Sequence, residues 1–455
     1  MADGPASWDL FAGVPPVLQV LFWVLFVLTT VAFLGLVSLL AAAAVGRARR
    51  TKRNVDGALH EDQLLWVFLV PALNEEVTIA DSVGRLTAAQ ATHALVMVID
   101  DGSTDRTPDI LAALDEPKLR VLRRELPDAQ RGKAAALNAA YLQLRDVVLR
   151  EPAYAAWSTD RVIVGIIDAD GRLDADAPEA VAWHFASPTL GGVQTLVRIY
   201  NRRGWHTWAQ DVEFSAFGHV YQAGRSEWGT ANMGGNGQFN RLSALESIDD
   251  GDGPWRDRLT EDQDLGVRLI QAGWRGAQEN GASIHQQGLP SLRRLYRQRT
   301  RWAQGAWQAL DLLPGVRKTQ ASFLGRADAL LYLLTPLLQS LAGLVFLATI
   351  VLAVVYDVPV IPRSVFFLIL FLALGLAPVF VTLLLRGRGW KDVWQAVVLL
   401  VPYAAYSWLI FPVLLAALIR QLSGRQSWAK TAREPIRAEG AEATGPWGGR
   451  DVLAP

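Results

Sequence analysis

Long stretches without charge lie at the two ends of the chain. The first runs from Val17 to Val45 and is followed at once by Arg47, Arg49, Arg50, Lys52 and Arg53. A run of about 20 apolar residues crosses the hydrocarbon core of a bilayer, so the pattern predicts a transmembrane helix over residues 17–46. The run is too long for a cleaved signal peptide, and its basic cluster lies after it rather than before. The positive-inside rule puts the chain beyond residue 46 in the cytosol. Three more apolar runs, Ala327–Val355, Val365–Leu385 and Val393–Ile419, predict a helical bundle over residues 324–420. Four single crossings would leave the basic tail (Arg420, Arg425, Lys430, Arg433) outside, against the same rule. Pro402 and Pro412 therefore mark the last run as the one to bend or lie in the interface.

Between the apolar ends, residues 63–285 change period. Leu64–Val70, Leu95–Ile99, Leu119–Leu122 and Val162–Ile167 read as strands, and Thr78–Ala89, Asp105–Leu114 and Lys133–Arg150 as helices. This alternation predicts an α/β domain with a mostly parallel sheet covered on both faces. Such sheets bind ligands beyond the carboxyl ends of their strands. Residues 286–323 hold a basic amphipathic stretch. In it Leu292, Leu295, Tyr296, Trp302, Ala306, Leu310 and Leu313 recur at helical spacing, with Arg293, Arg294, Arg297 and Arg301 on other faces. A helix of that kind lies in the headgroup layer. Residues 1–16 form an N-terminal tail and 47–62 a basic linker. Residues 421–455, rich in Gly, Ala, Pro and Arg, are expected to be mostly disordered.

Composition adds exclusions. The chain of 455 residues is 51% hydrophobic with a mean hydropathy of +0.18. Lys plus Arg and Asp plus Glu are equal at 44 each, which gives no basic surplus for nucleic acid. Cysteine is absent, excluding disulfides, thiolate nucleophiles and Cys-ligated metals. The six histidines show no ligand spacing.

The candidate chemistry is acidic. Asp100-Asp101-Gly102-Ser103 ends the second strand, where two carboxylates can take hydrogen bonds from a base or ribose; a plain turn accounts for it equally well. Asp168-Ala169-Asp170 ends a later strand. Alternation would put the two carboxylates on one side, where a divalent cation bridging diphosphate oxygens relieves their repulsion. Thr260-Glu261-Asp262 heads the helix Gln263–Ala272, with Thr260 as N-cap and one carboxylate as a candidate general base. On the basic amphipathic helix stands Gln298-Arg299-Thr300-Arg301-Trp302. An Arg there can hold a diphosphate, and a Trp face can stack on a sugar ring.

These four elements, in this order and flanked by apolar helices, resemble the family 2 glycosyltransferases, in particular the membrane-embedded polysaccharide synthases. Val70-Pro71-Ala72-Leu73-Asn74-Glu75, Gly132-Lys133 with Asn138, and Gly234-Gly235-Asn236-Gly237-Gln238-Phe239 fit the same pattern. The resemblance implies a GT-A type nucleotide-sugar-binding domain, and a role for each matching position. Ala72, Asn74 and Glu75 would line the nucleotide pocket with Asp100 and Asp101, and Lys133 would sit near the sugar-phosphate. Asp168 and Asp170 would bind the diphosphate, with Mg²⁺ or Mn²⁺ held through Asp170 and Asp168. Asp262 would be the catalytic base with Glu261 beside it. Gln298, Arg301 and Trp302 would hold the diphosphate and form the acceptor platform, with Gly237, Gln238 and Phe239 shaping the acceptor end.

The implied reaction is inverting transfer from a UDP-sugar to a growing β-linked polysaccharide by a multi-pass plasma-membrane enzyme, in contact with lipid and able to form a homo-oligomer. Single transfer to a membrane lipid, and a non-catalytic transport or scaffolding subunit, are the alternatives. The Phe-x-Val-Thr-x-Lys loop of cellulose synthases is missing after Trp302. Trp428, Lys430, Thr431 and Arg433 are similar to a Trp-x-Lys-Thr-x-Arg tail of related synthases.

Overall fold

A computed structural model describes residues 14–50, 59–357, 376–384 and 390–424. The Trp428–Arg433 segment, the tail beyond Gly424 and residues 365–375 of the second C-terminal apolar run lie outside the described residues.

Eight strands form one mixed sheet in the order β3-β2-β1-β4-β7-β6-β8-β5. They are β1 Leu65–Ala72, β2 Ala94–Asp100, β3 Leu119–Arg123, β4 Val162–Ile166, β5 Arg172–Leu173, β6 Leu190–Ile199, β7 Gln238–Arg241 and β8 Arg275–Gln286. Neighbouring strands β1 to β4 pair in parallel, as do β6 and β8, whereas β7 runs antiparallel to both β4 and β6. In β1 the strand period of two appears as two separate cores rather than as an apolar and a polar face. Trp66, Phe68 and Val70 pack with α2 (Ile79–Thr87) and α5 (Ala177–Ala182). Leu65, Val67 and Leu69 pack with α4 (Lys133–Asp146), α8 (Leu242–Glu246) and α9 (Glu261–Gln271) on the other side. Cover on both faces is what makes the strand read as an unbroken apolar run.

The apolar ends form α1 (Pro16–Arg50), α11 (Phe323–Val355), α12 (residues 376–384), α13 (Trp390–Ser407) and α14 (Ile410–Leu422). Among the described residues, Pro16–Arg49, Phe323–Val355 and Val397–Leu422 are long and apolar enough to cross a membrane. The last run is broken at Trp408–Leu409. Pro412 then falls in the first turn of α14, where its missing N–H costs nothing.

These helices are packed into the sheet domain. Helix α7 (Ala223–Trp228) lies against α1 so closely that a Cβ on Gly224 would meet the Leu39 carbonyl oxygen at 2.5 Å. The basic amphipathic stretch is helical as α10 (Leu292–Gln308), but it is wedged between elements rather than laid flat on them. Ala303 is buried with Val413, Leu414 and Ala417 of α14, and Leu295 with α6 (Trp205–Ala216) and α13. Leu310 and Leu313 fall beyond it, in a 3-10 segment, Ala309–Lys318. The α-helical stripe that begins at Leu292 therefore ends before Leu310 and Leu313, and Pro314 lies inside the 3-10 segment that carries them.

A buried ion pair fastens α7 to α11. Arg225 Nε and a second guanidinium nitrogen donate to Asp328 at 2.7 and 3.3 Å. Removing one partner strands the other charge, so Asp328→Ala should cost about 3–5 kcal/mol, read as a lower thermal unfolding midpoint in detergent. The Arg225→Met/Asp328→Leu double variant should recover much of that loss.

Candidate active site

The loops leaving β1, β2 and β4 stand at one edge of the sheet. Ala72 and Asp100 are in register where their strands end. Asn74 takes a left-handed φ of 53°, which Asn tolerates. Its Oδ1 accepts from the Thr104 N–H at 2.7 Å, and its own N–H donates to Ser103 Oγ at 2.9 Å. Glu75 is held likewise: its N–H donates to Thr107 Oγ1 at 2.8 Å and its Oε2 accepts from Thr78 Oγ1 at 3.0 Å. The Asp100–Asp101 pair divides its work. Asp100 is 1% exposed, accepts from the Ser103 N–H and pairs with Arg123 at 2.6 Å. Asp101 faces the cleft and pairs with Arg124 at 2.5 Å; burial raises its carboxyl pKa against the pull of Gln130 and Arg124. Gly102 adopts φ 77°, as the turn requires.

Lys133 opens α4 and meets the acidic groups. Its ammonium lies 2.6 Å from Asp168 and 3.6 Å from Glu261. Burial alone would lower its pKa, but Asp168 and Glu261 outweigh burial and hold it above its ordinary value. β4 stops at Ile166, and Gly171 N–H closes a turn onto the Asp168 carbonyl at 2.7 Å. Strand alternation therefore does not relate Asp168 to Asp170, contrary to expectation. Asp168 lines the cleft, whereas Asp170 is 3% exposed and accepts from the Gln287 N–H at 3.2 Å. Among the described residues no three His, Asp or Glu side chains form a closed metal cage. The Asp168 carboxylate on the wall is a hard donor of the kind a Mg²⁺-like ion uses when water and diphosphate supply most of its ligands, so the wall fits such an ion through Asp168.

Glu261 and Asp262 open α9. Burial pushes the Glu261 carboxyl up to about 7 against the attraction of Lys133, with Asp262 and Asp168 adding repulsion. Asp262 is raised by burial too, again against Lys133. Gly235 (φ 84°) lies under Asp262: a Cβ there would meet Asp262 Oδ2 at 2.8 Å. Thr260 stands at the N-cap as expected, its carbonyl accepting from the Asp264 N–H at 3.1 Å, but without the side-chain cap. Its side chain accepts no backbone N–H and instead bonds Gln263 Oε1 at 3.3 Å.

Gln298, Arg301 and Trp302 of α10 form the opposite wall. Trp302 is braced by the Arg299 guanidinium, 4.3 Å from its ring, and by the edge of Phe214 at 6.1 Å. Arg299 is anchored by Glu213 of α6 at 2.6 Å and by the Tyr406 hydroxyl of α13 at 3.3 Å.

One cavity of about 210 Å³ thus gathers Ala72, Glu75, Asp101, Lys133, Asp168, Glu261, Asp262, Gln298, Arg301 and Trp302. Asn74, Asp100 and Asp170 are not on its wall; they hold the loops that form it. Gly237, Gln238 and Phe239 do not shape it as expected, because β7 carries Gln238 and Phe239 into the sheet. Phe239 is wholly buried, edge-on to Trp66 at 5.8 Å and Phe68 at 6.4 Å. Gly234, Gly235 and Asn236 line the cavity instead. Gln194 of β6, which carried no signal in sequence, grips that loop from both sides. It accepts from the Gly234 N–H and donates to the Asn236 carbonyl, each at 2.8 Å. Asn236 in turn accepts from the Asp168 N–H at 3.0 Å.

Comparison with known proteins agrees with this geometry. Residues 163–420 match the description of glycosyl transferase family group 2, and residues 67–249 that of glycosyl transferase family 2. The chain belongs to the family 2 glycosyltransferases. It is 32% identical over 246 residues to the beta-monoglucosyldiacylglycerol synthase of Synechocystis sp., covering 53% of this chain and 47% of that protein. It is 29% identical over 248 residues to a poly-beta-1,6-N-acetyl-D-glucosamine synthase of Staphylococcus aureus, covering 53% and 55%. The chain thus spans about half the length of these relatives. The mannosyltransferase PcManGT from Pyrobaculum calidifontis, solved with GDP-Man and Mn²⁺, superposes with a TM-score of 0.55 at 20% identity, over 89% of this chain and 100% of that one. That likeness shows the GT-A fold.

The raised Glu261 pKa has a sign that stability measurements can read. A carboxyl that titrates near 7 when folded and near 4.5 when unfolded stabilises the fold below pH 4.5 and loses that contribution as pH rises through 7. Glu261→Gln, neutral throughout, should match the parent near pH 4.5 and exceed it at pH 8 by up to about 3 kcal/mol. Unfolding midpoints of both proteins across this pH range test it.

Proposed function

We propose that the chain transfers one glycosyl residue from a nucleotide diphosphate sugar to a hydroxyl of a membrane lipid, inverting the anomeric centre. The observation that carries this reading is the convergence of Asp262, Lys133, Asp168 and Arg301 on one cavity, whose far wall is a helix seated on apolar helices. Asp101, Ala72 and Glu75 receive the nucleoside. Asp168, on the cavity wall, would hold Mg²⁺ or Mn²⁺ with Asp170 buried behind it, and the ion would supply charge neutralisation for the leaving diphosphate. Lys133 and Arg301 offer the diphosphate fixed positive charge where its own charge grows. The acceptor oxygen attacks the anomeric carbon as the bond to the diphosphate breaks. The bonding pair leaves with the diphosphate, and the acceptor proton passes to Asp262. An α-linked donor gives a β-glycoside. We assign UDP as the nucleotide on motif resemblance; release assays with UDP- and GDP-sugars check that choice. The catalytic domain then lies on the Arg-rich, cytosolic side of α1, in a plasma membrane.

Two observations favour a lipid acceptor. The relatives at 31–32% identity are beta-monoglucosyldiacylglycerol synthases. The Trp302 platform is also tied, through Arg299 and Tyr406, to α13. Polymer synthesis is the second reading, favoured by the Gln298-x-x-Arg301-Trp302 motif and the Staphylococcus aureus relative. Asp262→Asn should keep donor affinity by calorimetry and lose turnover by about 10²–10⁴-fold; normal turnover removes the base assignment. With radiolabelled donor and lipid extract, the purified protein should yield one glycolipid species. A ladder of lengths selects the polymer reading instead.

A further inference from the structure

A second cavity, of about 430 Å³, shares no residue with the active site. It lies where the end of α1 meets α7 and the start of β8, and its wall includes Gly46, Arg49, Trp183, Ser187, Glu227 and Arg275. The apolar run of α1 ends at Val45. If α1 spans the bilayer, as the proposed function takes it to do, Gly46 and Arg49 stand in the headgroup layer.

Arg275 is held in place, and Arg49 reaches the cavity from the surface. Gly229 takes φ 75°, and a Cβ on it would meet Arg275 Cζ at 2.6 Å, so the guanidinium lies flat against bare backbone. It also donates to the Glu227 carbonyl at 3.5 Å. Arg49 pairs with Glu227 at 3.2 Å while its side chain stays 74% exposed. Glu227 thus neutralises one of two guanidiniums. The buried His184 is engaged by Glu279 at 2.7 Å. A net positive charge borne by Arg forks suits phosphate oxygens. Trp183, stacked on His184 at 3.6 Å, adds an aromatic face of the kind that settles at the membrane–water boundary.

We propose that this cavity binds the phosphate headgroup of an anionic membrane phospholipid, with Arg49 and Arg275 on the phosphate and Trp183 against the glycerol. The full chain, reconstituted in phosphatidylcholine with or without phosphatidylglycerol, tests this by native mass spectrometry of retained lipid. Flotation with pure phosphatidylcholine vesicles checks membrane insertion separately. The parent should retain phosphatidylglycerol in preference to phosphatidylcholine. Arg49→Gln/Arg275→Gln should lower that retention by about 10-fold or more, with donor binding unchanged. Ser187→Trp, which fills the cavity and keeps both charges, should do the same. Equal phosphatidylglycerol retention by parent and double variant overturns the proposal. So does displacement of the lipid by glycerol phosphate at the lipid's own affinity, which assigns the cavity to a soluble anion.

Discussion

The site is organised around one ammonium group. Lys133 enters a place where Asp168, on the loop after β4, meets Glu261 and Asp262 at the start of α9, and burial is costly to Lys133, Glu261 and Asp262. Charges removed from water persist only when paired. At Glu261 and Asp262 burial outweighs the attraction of Lys133, and both carboxyl pKa values are raised. Positive charge arriving with a ligand would favour the ionised form of both carboxyls. The surrounding structure serves to keep these groups in place: Gly235 leaves room for Asp262, and Asn236, clamped by Gln194, holds the turn that carries Asp168.

Much of this was legible in sequence, for identifiable reasons. Strands β1, β2 and β4 are buried on both faces and so appear as short uninterrupted apolar runs, and the acidic clusters come directly after two of them. The order of the clusters along the chain brought out the family. What stayed hidden depended on contacts between distant segments. Asp100 and Asp101 are adjacent in sequence, yet one supports the loop and the other faces the cleft, because β2 ends between them. Phe239 sits beside a glycine-rich loop that does line the cavity, but β7 begins at Gln238 and turns the ring into the core. Gln194 and Arg299 have no local signature, since their partners lie far away along the chain. Strands β5 to β8 escaped for a related reason. β7 runs against its neighbours and β5 is only two residues long, so neither fits the strand–helix alternation.

Helix α9 is joined to the apolar helices by polar contacts as well as by packing. Asn232 donates to the Tyr332 hydroxyl of α11 at 3.0 Å and to the Gln263 carbonyl of α9 at 3.5 Å. Gln263 is the next residue after Asp262. On the opposite wall, α10 is gripped by α14 through Ala303 and by α13 through Arg299. Both walls of the cleft are therefore referenced to the apolar helices, and a shift of α11 relative to α13 and α14 would change the width between them.

The contact of α7 with α1 has its own consequence. Gly224 rests on the backbone of Leu39, and Glu227 fills the space beside Gly46 that a side chain would otherwise occupy. The first helix is thus shaped to this domain at the level of individual glycines, and a generic hydrophobic tether could not replace it. A protein trimmed to its catalytic residues for solubility would expose the bare flank of α7 and lose the partner that its missing side chain was cut to fit.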